Sequence, residues 1–190
     1  GTATVNYTVS DTGCPTPPAT SAAATVSIPV NGPVIWFVDD SAAGGGDGRL
    51  GREFQTIGAA TAAIGANTNH KIFIYSGTYT QGATLNSDGW LIGQGTAGSF
   101  DAVFGISPPS GTIGRPALGG ARPQIGTTVT LGTNSNVRGL NIVGAASTGI
   151  AASGKSGLVV SEVSVATTTG TAASFSGSGG TLTFTSISAN

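Results

Sequence analysis

The stretch VRGLNI (residues 137–142) recurs in form as VSEVSV (160–165) and FTSI (184–187). Leu140, Val163 and Ile187 take equivalent positions, at spacings of 23 and 24 residues. Short β-rich segments that repeat in the low twenties, with Gly, Ser and Asn at the corners, are typical of a solenoid. A single coil cannot bury its own apolar row, whereas coils stacked about 4.8 Å apart bury it together. The repeat therefore predicts a solenoid of parallel strands.

The segment ahead of this repeat is typical of the closed start of such a solenoid. The apolar run VIWFV at 34–38 is expected of a strand covered on both sides. A glycine-rich turn follows it. The stretch FQTIGAATAAIGA at 54–66 then has apolar residues at helical spacing, with alanines between them. We therefore predict a strand, a short capping helix and further apolar strands at 71–75 and 90–92.

Two other regions depart from this pattern. The stretches at 2–9 and 24–30 alternate apolar and polar residues, which predicts the two strands of a β-hairpin. Residues 95–124 contain four prolines and many glycines, which predicts an irregular insertion. We therefore predict a hairpin segment at 1–32 and a solenoid domain at 33–190 that includes the insertion.

Four segments of the second region resemble the start of right-handed parallel β-helix proteins of the pectin-lyase-like superfamily: VIWFVDDSAAGGGDGRLGREFQTIGAA, IFIYSGTYT, LIGQG and VRGLNIVG. The hairpin resembles the last strands of the immunoglobulin-like or cadherin-like repeats of large bacterial surface proteins. These resemblances imply an all-β fold, a right-handed parallel β-helix with an N-terminal capping helix, in a bacterial surface or secreted protein. The β-helix fold carries many activities, so it implies no particular one.

The composition argues against two classes of partner. Charged residues make up 8% of the chain and the net charge is −1, against roughly 25% charged residues in an average soluble domain. Neither sign of charge accumulates, so the electrostatic patch that nucleic acid requires is missing. No apolar run approaches the roughly 20 residues of a membrane span. We expect no nucleic-acid partner and no membrane insertion.

The repeats carry few side chains that could perform chemistry. Residues 127–190 contain one acid, Glu162, and two bases, Arg138 and Lys155. Polysaccharide-cleaving members of the resembled superfamily use clustered acids for calcium or paired carboxylates, because acid–base work needs two groups. We therefore assign no catalytic residue and expect no enzyme. The alternative is a lyase-like, polysaccharide-active enzyme or its glycan-binding remnant, with the insertion at 95–124 bordering a glycan groove.

Few residues could bind a metal ion. Asp39, Asp40 and Asp47 form an acidic cluster in a glycine-rich turn, where carboxylates could hold Ca²⁺. Asp and Gly also favour turns, so we expect no cofactor and keep calcium as the alternative. His70 has no second ligand nearby and is expected at a surface corner. Cys14 cannot form a disulfide within the chain, and its role is left open. Aromatic residues in the apolar strands are expected in the core rather than as platforms for sugars.

The last repeat presents an apolar edge formed by Leu182, Phe184 and Ile187. An uncovered edge of this kind is prone to associate, so we expect further coils of the same chain or another subunit to cover it. The predicted function is a structural or adhesive extracellular segment, self-associating or part of a fibre or stalk. We expect an extracellular or cell-surface location, with a glycan as a further candidate partner.

Overall fold

The computed structural model of the chain describes residues 2–11, 19–29 and 33–190. The chain divides into two compact units, Gly1–Pro33 and Val34–Asn190. In the first unit, strands β1 (Thr2–Tyr7) and β2 (Ala24–Pro29) pair in antiparallel orientation. Every side chain of this unit whose burial is described is exposed. Backbone pairing rather than a core holds the hairpin together, which is a marginal arrangement.

The second unit contains thirteen strands and two helices. Helix α1 spans Ile57–Ile64 and helix α2 spans Phe100–Phe104. All strand pairs of this unit are parallel. The strands are β3 (Ile35–Val38), β4 (Lys71–Ile74), β5 (Thr78–Tyr79), β6 (Ala83–Thr84), β7 (Trp90–Gly93), β8 (Gln124–Ile125), β9 (Val129–Thr130), β10 (Asn136–Arg138), β11 (Asn141–Ala145), β12 (Ile150–Ser153), β13 (Leu158–Thr167), β14 (Ala173–Ser176) and β15 (Gly180–Ala189).

One curled sheet dominates the second unit. Eight parallel strands follow the order β3-β4-β7-β10-β13-β11-β8-β5 and form a half-barrel. Strand β15 joins this sheet as a ninth strand beside β13. A second sheet has four strands in the order β14-β12-β9-β6.

The prediction of an all-β, right-handed parallel β-helix is wrong for this unit. Solenoid coils would keep their strands in separate stacked columns. Strand β13 instead pairs with β10 along its first residues and with β11 along its last, so it joins two rows of strands into one sheet. Between these two pairings Glu162 adopts a φ of 55°, and the register with β15 shifts. The result is a mixed α/β-like fold built on a half-barrel, with two helices.

Helix α1 lies against β3 and β6 and buries Ile57, Ala60 and Ile64. It begins after Thr56, whose Oγ1 accepts a hydrogen bond from the N–H of Ala59 at 3.1 Å. Such an N-cap satisfies one of the free N–H groups of the first turn. The helix is shorter than the predicted 54–66, because the start of that stretch pairs with β3 instead.

The interior of the half-barrel is filled by aligned aliphatic rows. In one row, Ile72, Leu91, Val137 and Val160 are fully buried and neighbour one another through the strand register. Full burial of such a side chain contributes about 1.5–3 kcal/mol. The row ends at Leu182 in β15, which is only partly buried.

The other face of the sheet carries a second, aromatic core. Helix α2, within the segment 95–124, packs against this face and covers the first strands of the sheet. The segment predicted as an irregular insertion therefore contains a helix that completes a core. Of the strand aromatics expected in the core, Phe37 and Phe73 are buried, while Trp36, Tyr75 and Trp90 are half-buried. The buried members are Phe37, Phe73, Ile92, Phe100 and Phe104.

Candidate association edge

Strand β15 forms an open edge of the main sheet. It pairs with β13 on one side, and no described strand pairs with its other side. Its sequence, GTLTFTSISA, contains no charged residue and no proline, two of the features that protect an edge strand from pairing. Alternate N–H and C=O groups of an edge strand point away from its neighbour. Strand β15 therefore offers backbone groups along its ten residues to a further strand, with one interruption at Thr185, where the register shifts.

The three apolar residues predicted at this edge lie along β15. Leu182 and Phe184 are half-buried against the core, and Ile187 is 51% exposed. The valines of β13 beneath them are almost fully buried, because β15 covers them. The apolar layer of β15 lacks an equivalent cover among the described residues.

The pairing of β15 differs in one respect from the sequence repeat. The repeat aligned Ile187 with Val163, whereas the structure pairs Phe184 with Val163 and Ile187 with Val165. Thr185 is skipped in this pairing, which shifts the register. Because Thr185 is skipped, Ile187 faces the same side of the strand as Leu182 and Phe184, which is the side toward the core.

Strand β14 is the corresponding edge of the four-stranded sheet. It pairs with β12 and with no other described strand. Its Phe175 lies beside Phe184, with ring centroids 6.3 Å apart, and both rings are half-buried. Sequence reasoning missed Phe175, although the alternation in ASFS at 173–176 is a strand signal. The two open edges share one apolar layer.

The opposite edge of the main sheet, strand β3, is closed by the segment 46–54. The N–H of Phe37 donates to the Gly48 carbonyl at 2.9 Å, and the Phe37 carbonyl accepts from the Phe54 N–H at 2.9 Å. The Asp39 N–H also donates to the Phe54 carbonyl, at 2.9 Å. The ring of Phe54 stacks on Trp36 with centroids 5.7 Å apart. Strand β3 therefore has partners on both sides.

Strand β5, at the other end of the eight-strand path, is closed by Asp40. The Thr78 N–H donates to Asp40 Oδ2 at 2.7 Å, and the Asp40 N–H donates to the Tyr79 hydroxyl at 3.2 Å. That hydroxyl in turn donates to the Tyr75 carbonyl at 3.0 Å. Burial raises the pKa of Tyr79 well above its usual range, and the nearby Asp40 carboxylate raises it further. Tyr79 is therefore a neutral hydrogen-bonding link.

The three aspartates proposed for calcium do not converge. Asp39 Oδ1 accepts from the N–H and the hydroxyl of Ser41 at 2.9 and 2.7 Å, while Asp40 closes β5. Asp47 lies 3.8 and 3.9 Å from the guanidinium groups of two arginines of its own turn. Within residues 2–11, 19–29 and 33–190, no group of three His, Cys, Asp or Glu residues is placed to hold a metal ion. Calcium binding stays a prediction.

The acid of the repeats, Glu162, fastens the segment 95–124 to the sheet. Its Oε1 accepts from Arg138 Nη2 at 3.0 Å, and its Oε2 accepts from the Ala97 N–H at 3.2 Å. Burial alone would raise the pKa of Glu162, but these hydrogen bonds and the charges of Arg138 and Arg122 lower it overall. Glu162 is therefore an ionised carboxylate with both oxygens engaged.

His70 and Cys14 differ in how far the structure describes them. His70 is half-buried rather than at an exposed corner, and its Nδ1 accepts a hydrogen bond from Trp36 Nε1 at 3.0 Å. Burial lowers the pKa of His70, which favours the neutral acceptor. Cys14 lies outside the described residues.

Comparison with protein-family models, with curated proteins and with solved structures finds no match to this chain. The predicted membership of the pectin-lyase-like superfamily is corrected by the half-barrel sheet, and no relative supports it or the immunoglobulin-like repeat. The expectations of an adhesin and of secretion gain no support either. In the part of the chain that the structure describes, neither helix has the length and apolarity to span a bilayer.

Proposed function

We propose that residues 34–190 form a structural unit that associates through the open edge of β15. The observation that carries this proposal is the edge itself: ten uncharged residues, paired on one side, above a half-covered apolar layer. A long, neutral, exposed edge strand is a template for pairing with another strand. The expected location outside the cell or at its surface stays a prediction.

The alternative of a polysaccharide-active enzyme or glycan-binding remnant also stays a prediction. Glu162 would be its carboxylate, yet both Glu162 oxygens are engaged and its lowered pKa suits an ion pair better than a general acid. Turnover of pectin, alginate or chondroitin, with or without calcium, that is lost in Glu162→Gln would favour the enzyme over the structural unit.

The edge proposal is tested by placing lysines on β15. Thr183 and Ser188 are exposed, so Thr183→Lys with Ser188→Lys should leave the fold intact. Lysine on an edge opposes strand pairing, because its charge must be desolvated or must face a like charge. Sedimentation velocity over a concentration series should show association of the wild-type chain, and the double variant should lose it.

The matched control adds the same two charges away from the edge. Thr68 and Ser107 are exposed loop residues, so Thr68→Lys with Ser107→Lys should associate as the wild type does. A folded wild-type chain that is monomeric at every concentration would contradict the proposal. Association that survives the β15 lysines would contradict it too, by placing the contact elsewhere.

A further inference from the structure

We infer that the partner of the β15 edge is a second copy of this chain, paired antiparallel about a two-fold axis, so that assembly closes at a dimer. This inference rests on the proposed function, since it requires β15 to be the association surface. It replaces the fibre or stalk of the sequence-based expectation with a closed pair.

The closed edges of the main sheet leave β15 no free edge of that sheet for head-to-tail growth. A filament would require β15 of one copy to pair with a free edge at the other end of the next copy. Strand β3 is already paired with the segment 46–54, and β5 is held by Asp40. Among the described strands of the main sheet, β15 is the one with an open side. Two copies can therefore meet through the same patch on each, which is an isologous contact.

The edge is complementary to itself in antiparallel orientation. Because Thr185 is skipped in the register of β15, a two-fold axis through Ser186 places Phe184 of one copy opposite Ile187 of the other. Both residues continue rows of buried side chains, because Phe184 pairs with Val163 and Ile187 with Val165 in β13. Aromatic and β-branched residues opposite each other form a favourable cross-strand pair. No charge lies on either strand to oppose the pairing.

The size of the contact sets its strength. A ten-residue strand is roughly 33 Å long at about 3.3 Å per residue, and with side chains on both faces it is about 10 Å wide. That footprint of roughly 330 Å² per copy, about 660 Å² in total, is smaller than a standard specific interface and is typical of a weak contact. We therefore expect a weak dimer whose population rises with protein concentration.

The antiparallel register is tested by disulfide trapping in a Cys14→Ser background, which removes the one native cysteine. The proposed axis places Thr183 of one copy opposite Ser188 of the other, at about the 4.5–5.5 Å of directly opposed Cα atoms, within reach of a disulfide. Two Thr183 residues would lie roughly 13 Å apart along the strand, because Thr185 is skipped in the register. A mixture of Thr183→Cys and Ser188→Cys chains of different tag length should therefore give roughly ten-fold more cross-linked dimer than either variant alone.

The outcomes separate this inference from the proposed function. The expected result is the mixed cross-link together with a limiting mass of twice 18.4 kDa. Cross-linking of Thr183→Cys alone as readily as in the mixture would overturn the antiparallel pair. Lysine-sensitive association that grows past the dimer would overturn the closed dimer and leave the β15 edge as the surface. A monomer at all concentrations, or association insensitive to the lysines, would overturn both.

Discussion

Single residues decide which edges of the sheet remain open. Asp40 was a candidate calcium ligand in the sequence, but its carboxylate accepts from the Thr78 N–H and its own N–H donates to Tyr79. Gly77 lies so close that a Cβ there would overlap the Asp40 carboxylate. Sequence spacing could locate these residues in turns. It could not show which carboxylate closes a strand, because that depends on contacts across 38 residues.

Tyr75 makes the stability of the unit sensitive to alkaline pH. Burial, aided by the carboxylates of Glu53 and Asp39, raises the pKa of Tyr75 from 10.0 to about 12. The folded state therefore holds the phenolic proton more tightly than the unfolded state. The stabilisation is complete below the unfolded pKa and is lost as the pH rises through the folded pKa. Urea unfolding at pH 9, 10, 11 and 12 should show a fall in unfolding free energy above pH 10.

The matched variant for this prediction is Tyr75→Phe, which keeps the ring and removes the titrating hydroxyl. Its unfolding free energy should fall less steeply over the same pH range than that of the wild type. Identical slopes in the two proteins would show that Tyr75 is not the titrating group.

At the scale of elements, helix α2 turns an apparent insertion into part of the core. Its signals were present in the sequence: Ser99 before the helix, Phe100 and Phe104 four residues apart, and Gly105 after it with a φ of 64°. Five residues are too short for a periodicity argument, which needs a window of about 11–18 residues. The prolines of the surrounding segment then favoured a loop.

The aromatic core predicts a large effect of Phe104→Ala. Phe104 is 1% exposed and packs beside Phe100 and Trp90, with ring centroids 4.4 and 6.3 Å away. Removing the ring should lower the unfolding free energy by about 3–5 kcal/mol, measured by urea unfolding followed through tryptophan fluorescence. Ala102→Ser, an exposed change on the same helix, should stay within about 0.5 kcal/mol. Equal effects of the two variants would place α2 outside the cooperative core.

The sequence predicted most of the repeated strands, but it did not predict that two rows of strands join into one sheet. Apolar periodicity located strands at 137–142 and 160–165, and the structure aligns Val137 with Val160 and Ile142 with Val165. Periodicity reports which residues face inward. It does not report whether neighbouring rows remain separate. Between the two pairings of β13, Glu162 adopts a positive φ, a conformation that non-glycine residues adopt rarely and that apolar periodicity does not predict.

At the scale of the whole unit, the difference between a closed and an open end sets the size of the assembly. The segment 46–54 covers β3, and its Gly48 carbonyl accepts a hydrogen bond from the Phe37 N–H. Gly48 has a φ of 77°, and a Cβ there would overlap the rings of Phe54 and Trp36. A larger residue must therefore displace one of these two rings and loosen the contact between the segment and β3. That displacement would free the backbone groups of Phe37 that the segment now pairs.

Gly48→Ala should therefore convert a closed dimer into a growing polymer. With β3 released, each copy presents an open edge at both ends, and head-to-tail pairing of β15 with β3 becomes possible. Gly51→Ala is the matched control, because Gly51 has a similar φ of 84° but open space around its Cβ position. Both variants carry the same backbone strain, so only the overlap differs. Sedimentation should show mass rising with concentration beyond the dimer for Gly48→Ala alone, and dimers from both variants would show that the 46–54 segment does not limit assembly.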